Sequence, residues 1–274
     1  MNGKVCCVIG ILVLSMLFAG TAGADIYVAA TGDDATGDGT EAAPYRTVKT
    51  AIANLGGDTV VRVGIGLYDA AAGEVFPLVV PAGVSIIGTV GPAQDESDSA
   101  VLDAAGAARM FTMPNSTTMT TLKGLVMKNA KGMTVDMTNN STVTVEDSVI
   151  TGVTYVSGEG AVAHTNVGSG VTTLNLTRTT VRDIARVAAN TNSYIIRLKS
   201  GNGTLNVTDC LFKNIAAGTV EGKRGMIVGE NVAGTFLNSV FDTISWVYSG
   251  TWAGEVLRVL AGVCSALVEL PEVA

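Results

Sequence analysis

Four residues of this chain carry side chains suited to holding a charged ligand, at spacings that would bring them together: Asp136, Asn166, Arg197 and Lys199. Counting back seven or eight residues from Val143, Leu174 and Leu205, which are equivalent positions of a repeat, reaches Asp136, Asn166 and Arg197. On parallel strands about 4.8 Å apart these three would stack in one column, with Lys199 two residues on beside them. The residue types limit the chemistry. Hydrolysis between two acids needs a second carboxylate at a set separation, and the column has only Asp136. A site for a hard metal ion needs several oxygen ligands from neighbouring positions, and Asn166 and Arg197 stand where two further acids would be required. What such a column can do is hold an anion on Arg197 and Lys199 through charge-assisted hydrogen bonds.

Other reactive types stand apart from it. The single histidine, His164, belongs to no repeated pattern and has no nucleophile motif beside it, so it is not expected to act chemically. Asp33, Asp34 and Asp38 could offer oxygen to Ca²⁺, yet their spacing is not that of a twelve-residue calcium loop. No cofactor is expected, Ca²⁺ being the one ion these acids could take. Asn115, Asn140, Asn175, Asn202 and Asn206 each begin an Asn-x-Ser/Thr triplet, which a chain rich in Thr and Asn yields by chance. Arg182, Lys213 and Asp242 read as solvated charges.

The elements that must position the column come from a repeat. Gly203 to Ile215 (GTLNVTDCLFKNI) falls on Thr172 to Ile184 and on Ser141 to Val153 at steps of 31, on Gly234 to Ile244 at 29, and on Thr120 to Ala130 at 23. Self-similarity at such a period marks a solenoid, whose units bury their apolar faces by stacking. Val145, Leu176, Val207 and Phe236 form one apolar column, Ile150, Val181, Phe212 and Phe241 a second, and Val153, Ile184, Ile215 and Ile244 a third. Small residues, Ser148, Thr179, Cys210 and Ser239, lie between the first two. Asp147, Arg178, Asp209 and Asn238 precede them, as suits a tight bend. Apolar and polar residues alternate with period two, which is strand and not helix. The strands bearing the charged column are expected near Met133 to Met137, Thr165 to Val167, Ile196 to Leu198, Met226 to Val228 and Val256 to Val259.

Residues 1–24 combine one lysine, an apolar run from Val5 to Phe18 and Ala22-Gly23-Ala24, the pattern of a cleaved secretory signal. The run is too short to span a bilayer. The domain then covers 25–274, with repeats over about 120–245 and either a final coil or a truncated end at 246–274. With 17 basic against 24 acidic residues, a net charge of −7 argues against nucleic acid and anionic membranes as partners. Cys210, in the small-residue column, is expected as a buried unpaired thiol and not as the partner of Cys264. Near the start, Ile26 to Val28 reads as a strand. A helix over 45–55, opened by Pro44 and placing Val48, Ala51, Ile52 and Leu55 on one face, reads as a cap on the open end of the coil.

Two stretches also carry a family resemblance. Tyr27 to Ala51, with its Gly-Asp-Asp loop, Pro44-Tyr45, Thr47 and Ala51, and Gly66 to Gly88, with Gly66-Leu67-Tyr68, Phe76-Pro77-Leu78, Pro81-Ala82-Gly83-Val84 and Ile86-Ile87-Gly88, resemble a domain of unknown function. That domain is found at the head of secreted bacterial proteins of the pectin-lyase-like superfamily. The resemblance implies an all-β fold, a single-stranded right-handed parallel β-helix with a short N-terminal capping α-helix. It further implies a secreted, cell-surface or periplasmic protein associated with polysaccharide, with glycan lying along the face of Asp136, Asn166, Arg197 and Lys199. The expected function is non-catalytic binding of polysaccharide, or a structural or adhesive role. A polysaccharide lyase or glycoside hydrolase acting on acidic polysaccharide is the alternative.

Overall fold

The structure, a computed structural model, describes residues 25–138, 140–154, 159–166, 170–184, 194–218, 227–247, 257–260 and 264–269. The expected leader at 1–24 lies outside them. The chain is an all-β parallel β-helix in which strands of three faces follow one another and each pairs with its equivalent one coil away. The first face contains β4 (Leu78–Val79), β7 (Phe111–Thr112), β10 (Val135–Asp136), β13 (Gly160–Asn166), the start of β16 (Tyr194–Thr208), the start of β18 (Ile227–Val247) and β19 (Leu257–Leu260). The second runs from β1 (Ile26–Val28) through β2 (Val60–Val63), β5 (Ser85–Ile87), β8 (Ser116–Lys123), β11 (Ser141–Glu146) and β14 (Val171–Thr177) to later parts of β16 and β18 and to β20 (Cys264–Glu269). The third contains β3 (Gly66–Tyr68), β6 (Ala100–Asp103), β9 (Val126–Lys128), β12 (Val149–Thr151), β15 (Thr180–Ile184), β17 (Leu211–Gly218) and the end of β18.

The repeat columns are the strand register. Leu122 pairs with Val145, Val145 with Leu176, Leu176 with Val207 and Val207 with Phe236, reproducing the steps read from the sequence. Ile150, Val181, Phe212 and Phe241 pair in turn on the third face. All nine are buried, and the Phe212 and Phe241 rings stack with centroids 4.7 Å apart and planes 6° from parallel. Val153, Ile184 and Ile215 are buried as well.

The corner between the second and third faces explains the polar and small columns. Asp147, Arg178, Asp209 and Asn238 have φ of 50°, 46°, 54° and 46°, and Gly124 begins the series at 63°. Asp and Asn tolerate this left-handed conformation better than other side chains. The buried residue that follows each then donates to the carbonyl two residues back: Ser148 Oγ to Glu146 at 2.7 Å, Thr179 Oγ1 to Thr177 at 3.0 Å, Ser239 Oγ to Leu237 at 2.9 Å. Cys210 does the same to Thr208 with its thiol at 3.3 Å; it is buried and free, and burial pushes the thiol's pKa up.

Four of the Asn-x-Ser/Thr asparagines are not scattered triplets but members of ladders. Asn206 Nδ2 donates to Asn175 Oδ1 at 2.8 Å and Asn175 Nδ2 to Thr144 Oγ1 at 3.1 Å. Asn140 Nδ2 donates to Asn115 Oδ1 at 3.0 Å one coil below, and Asn140 Oδ1 accepts from the Val171 N–H at 3.0 Å one coil above.

The N-terminal helix is shorter than the sequence pattern suggests. α1 spans Val48–Ala53 with Thr47 as its N-cap, because Pro44 and Tyr45 are used as edge structure: Tyr45 bridges Val28, and its N–H donates to the Tyr27 carbonyl at 3.0 Å. Val48 and Ala51 are buried, with Ile52 and Leu55 packed against the same core. The N–H groups of the first turn, which have no partner within the helix, are met from a distance. Glu74, 3% exposed, accepts from Val48 and Lys49, while Asp34 accepts from Arg46 and from Thr47 N–H and Oγ1. Burial pushes the Glu74 carboxyl up, against the pull of those N–H donors.

Two outcomes are expected from this packing. Phe212→Ala opens a cavity beside Phe241 and lowers unfolding free energy by about 3–5 kcal/mol in urea titration. Arg178 is the one bend residue with a long side chain, and left-handed backbone there costs about 1–2 kcal/mol; its exposed guanidinium holds Asp147 through Nε at 2.6 Å and Nη2 at 3.0 Å, a pair screened by solvent. Arg178→Asn relieves the backbone while giving up that pair, so a small rise in stability is expected in the same titration.

Candidate functional site

Outward positions of the first face form one continuous row. Val79 pairs with Thr112, Thr112 with Asp136, Asp136 with His164, and His164 with Arg197; Val228 and Arg258 continue it. Asp136 and Arg197 thus share a row, as expected. Asn166 does not stand between them; His164 does. Asn166 pairs with Lys199 in the next outward row, which Glu230 and Leu260 extend. The cause is turn length. Eight residues separate His164 from Thr172 at the start of the second face, against five from Asp136 to Ser141 and six from Arg197 to Gly203, whereas the count used above assumes nearly equal turns. The strand itself begins at Gly160, well before Thr165.

Around this row lie residues that the repeat does not reveal. Arg109 Nη1 is 2.7 Å from Asp136 Oδ2 and its Nη2 is 2.7 Å from Glu159 Oε1, so one guanidinium ties two carboxylates that lie 23 residues apart in sequence. The Arg197 guanidinium lies over the Tyr194 ring, 5.3 Å from its centroid, and is partly exposed. Arg109 and Glu159 occupy irregular segments beside short strands, so no column marks them.

His164 occupies an outward row and is nevertheless only 7% exposed. Its Nδ1 is buried with no hydrogen-bond partner. Burial, with the positive charges of Arg197 and Arg109 adding to it, lowers its pKa from 6.5 to about 4. The ring is neutral at pH 7. It lies between a carboxylate and a guanidinium in the register, and an unpaired buried nitrogen is a group whose hydrogen bond something else must supply. No repeat in the sequence marks this residue, and the structure places it at the centre of the row.

The acids of the first loop are engaged locally. Asp33 Oδ1 accepts from Ala35 and Thr36 N–H, and Asp38 Oδ1 from Thr40 N–H and Oγ1, which holds both carboxyls below their usual range. Among the described residues no group of three or more His, Cys, Asp or Glu side chains is arranged to hold a metal ion. No helix among them is long and apolar enough to cross a membrane.

A family model described as protein of unknown function, DUF1565, matches residues 30–239, from the first loop to the last bend serine. No curated protein and no solved structure matches the chain.

The His164 shift has a definite sign. A folded pKa near 4 against 6.5 unfolded means the native state favours the neutral ring, so its contribution to stability is full above pH 6.5 and is lost as pH falls towards 4. Between pH 7 and pH 5 the wild type should lose about 2 kcal/mol more than His164→Gln, measured by urea denaturation at the two pH values.

Proposed function

The chain belongs to the DUF1565 family, and from the row that it carries on its first face we propose that it is a secreted or cell-surface protein that binds acidic polysaccharide without cleaving it. The observation that carries this reading is Arg197, partly exposed and oriented over Tyr194, on an outward strand row beside His164, whose Nδ1 is unpaired, with Asp136 one coil further on. A guanidinium held over an aromatic ring is fixed in orientation and still presents N–H donors to a sugar carboxylate. The Lys199 backbone pairs with that of Asn166 two residues along the same strands. Successive coils about 4.8 Å apart repeat on the scale of a sugar residue, which suits a polymer running along the solenoid axis. The leader-like residues 1–24, and the likeness of the first coils to secreted β-helix proteins of the pectin-lyase-like superfamily, support the location and the substrate class.

Binding is favoured over hydrolysis because Asp136 and Glu159 are both committed to Arg109, leaving neither as a proton donor to a leaving group. One observation favours elimination as a second reading. His164, neutral at pH 7, is in the protonation state of a proton acceptor and stands next to the guanidinium that would neutralise the sugar's carboxylate.

A panel of polyuronates and neutral polysaccharides, with ultraviolet absorbance followed in the same wells, tests both. Polyuronates should bind, should weaken with salt, and should lose about tenfold or more in affinity in Arg197→Ala, as expected for one charge-assisted hydrogen bond. Binding unchanged in Arg197→Ala and Lys199→Ala removes this face as the contact. Unsaturated product from the wild-type protein establishes elimination instead.

A further inference from the structure

A cavity of about 300 Å³ opens at the N-terminal end of the solenoid, on the second face and away from the row of Asp136, His164 and Arg197. Register explains its walls. Tyr27 pairs with Arg62 and Arg62 with Ile87, so three successive coils supply a phenol ring, a guanidinium and an aliphatic side chain to one outward row. The floor is apolar, with buried Val28 and Val63 at the ends of β1 and β2. On the remaining side the first loop is tied back to β1: the Tyr27 N–H donates to the Gly39 carbonyl at 2.8 Å, and the Ala29 N–H to that of Tyr45 at 2.9 Å. That tether brings Glu41 and Pro44 to the cavity wall.

We propose that this cavity is a binding site for one neutral hexopyranose unit, separate from the anion-binding row of the first face. The volume lies at the small end of ligand pockets, roughly 300–1,000 Å³, and so suits one sugar ring and not an oligosaccharide. Arg62 can donate to a hydroxyl while Glu41 accepts from another, which together satisfy adjacent alcohols. The Tyr27 ring and the half-buried Ile87 side chain meet the apolar face of a pyranose. Charge selects against an anion. Arg62 is already paired with Asp25, so with Glu41 two carboxylates stand against one cation at the mouth of the site. The Arg62 side chain keeps 48% of its surface exposed despite that pair, and Glu41 is exposed, so both reach an incoming sugar.

Saturation-transfer NMR on the protein with cellohexaose, mannohexaose and laminarihexaose tests the site. Transfer to at least one of the three is expected, retained in Arg197→Ala and reduced about fivefold or more in Tyr27→Ala and Glu41→Gln, the scale set by losing a single hydrogen bond or ring contact. Absence of transfer from the wild type to any of them overturns the proposal. So does transfer undiminished in both cavity variants, or transfer lost in Arg197→Ala. Should Tyr27→Ala lower the melting temperature, Glu41→Gln, a change on an exposed loop side chain, decides alone.

Discussion

Every coil of this solenoid must turn a corner between its second and third faces without losing step with the coils on either side. The turn throws one residue into a left-handed conformation and buries the small residue just after it. Ser148, Thr179 and Ser239 meet the carbonyl two residues back with a hydroxyl, and Cys210 meets it with a thiol. The same carbonyls take the bend N–H of the coil below, Gly124 to Glu146 at 3.0 Å, Asp147 to Thr177 at 3.1 Å, Arg178 to Thr208 at 3.0 Å and Asp209 to Leu237 at 3.0 Å, so each corner is tied both to the next coil and to its own small residue. A buried hydroxyl left unmet would cost about 1–3 kcal/mol at each corner, and the local bond removes that cost while the apolar columns fill the interior. Asp147, Asp209 and Asn238 are short polar residues because the bend is left-handed, and Gly124 meets that requirement without a side chain.

Once the corners are regular, outward side chains on each face fall into rows, and the chemistry of a face becomes a property of register. Asp136, His164 and Arg197 come from three different coils and have no proximity in sequence. Arg109 then ties Asp136 to Glu159 across the same region. The imidazole stays uncharged because it is enclosed while guanidinium groups stand near it. A neutral, unpaired nitrogen is thereby set among two guanidinium groups, Arg109 and Arg197, and two carboxylates, Asp136 and Glu159.

The interior of the fold was legible in the sequence because stacked coils force equivalent residues to be alike. Leu122, Val145, Leu176, Val207 and Phe236 could be aligned by eye, and their pairing follows that alignment. The first face was legible only in part. Its strands are short, its turns differ in length, and a count from Leu174 lands on Asn166 when two further residues must be counted back to reach His164. Arg109 and Glu159 obey no repeat at all, so only the folded chain brings them together. The cap helix was read too long because Pro44 and Tyr45 satisfy a helix-start pattern equally well as edge residues beside Val28. Glu74, which closes the helix N-terminus from 26 residues away, leaves no local sign of that role.

The unequal turn after the first face also bears on how such a protein could change over time. Inserting or deleting residues there slides one strand of the first face past its neighbours while the corner bonds and the core columns of the other two faces stay where they are. A shift of two residues keeps the inward and outward sides unchanged, since strands alternate with period two. Adding two residues between Asn166 and Thr172, with the eight-position span to the second face kept, would carry Asn166 into line with Asp136 and Arg197 and move His164 out of it. The length of one surface loop thus acts as a selector for which side chain the face displays, and a lineage could exchange an imidazole for an amide without substituting a single residue of the strand.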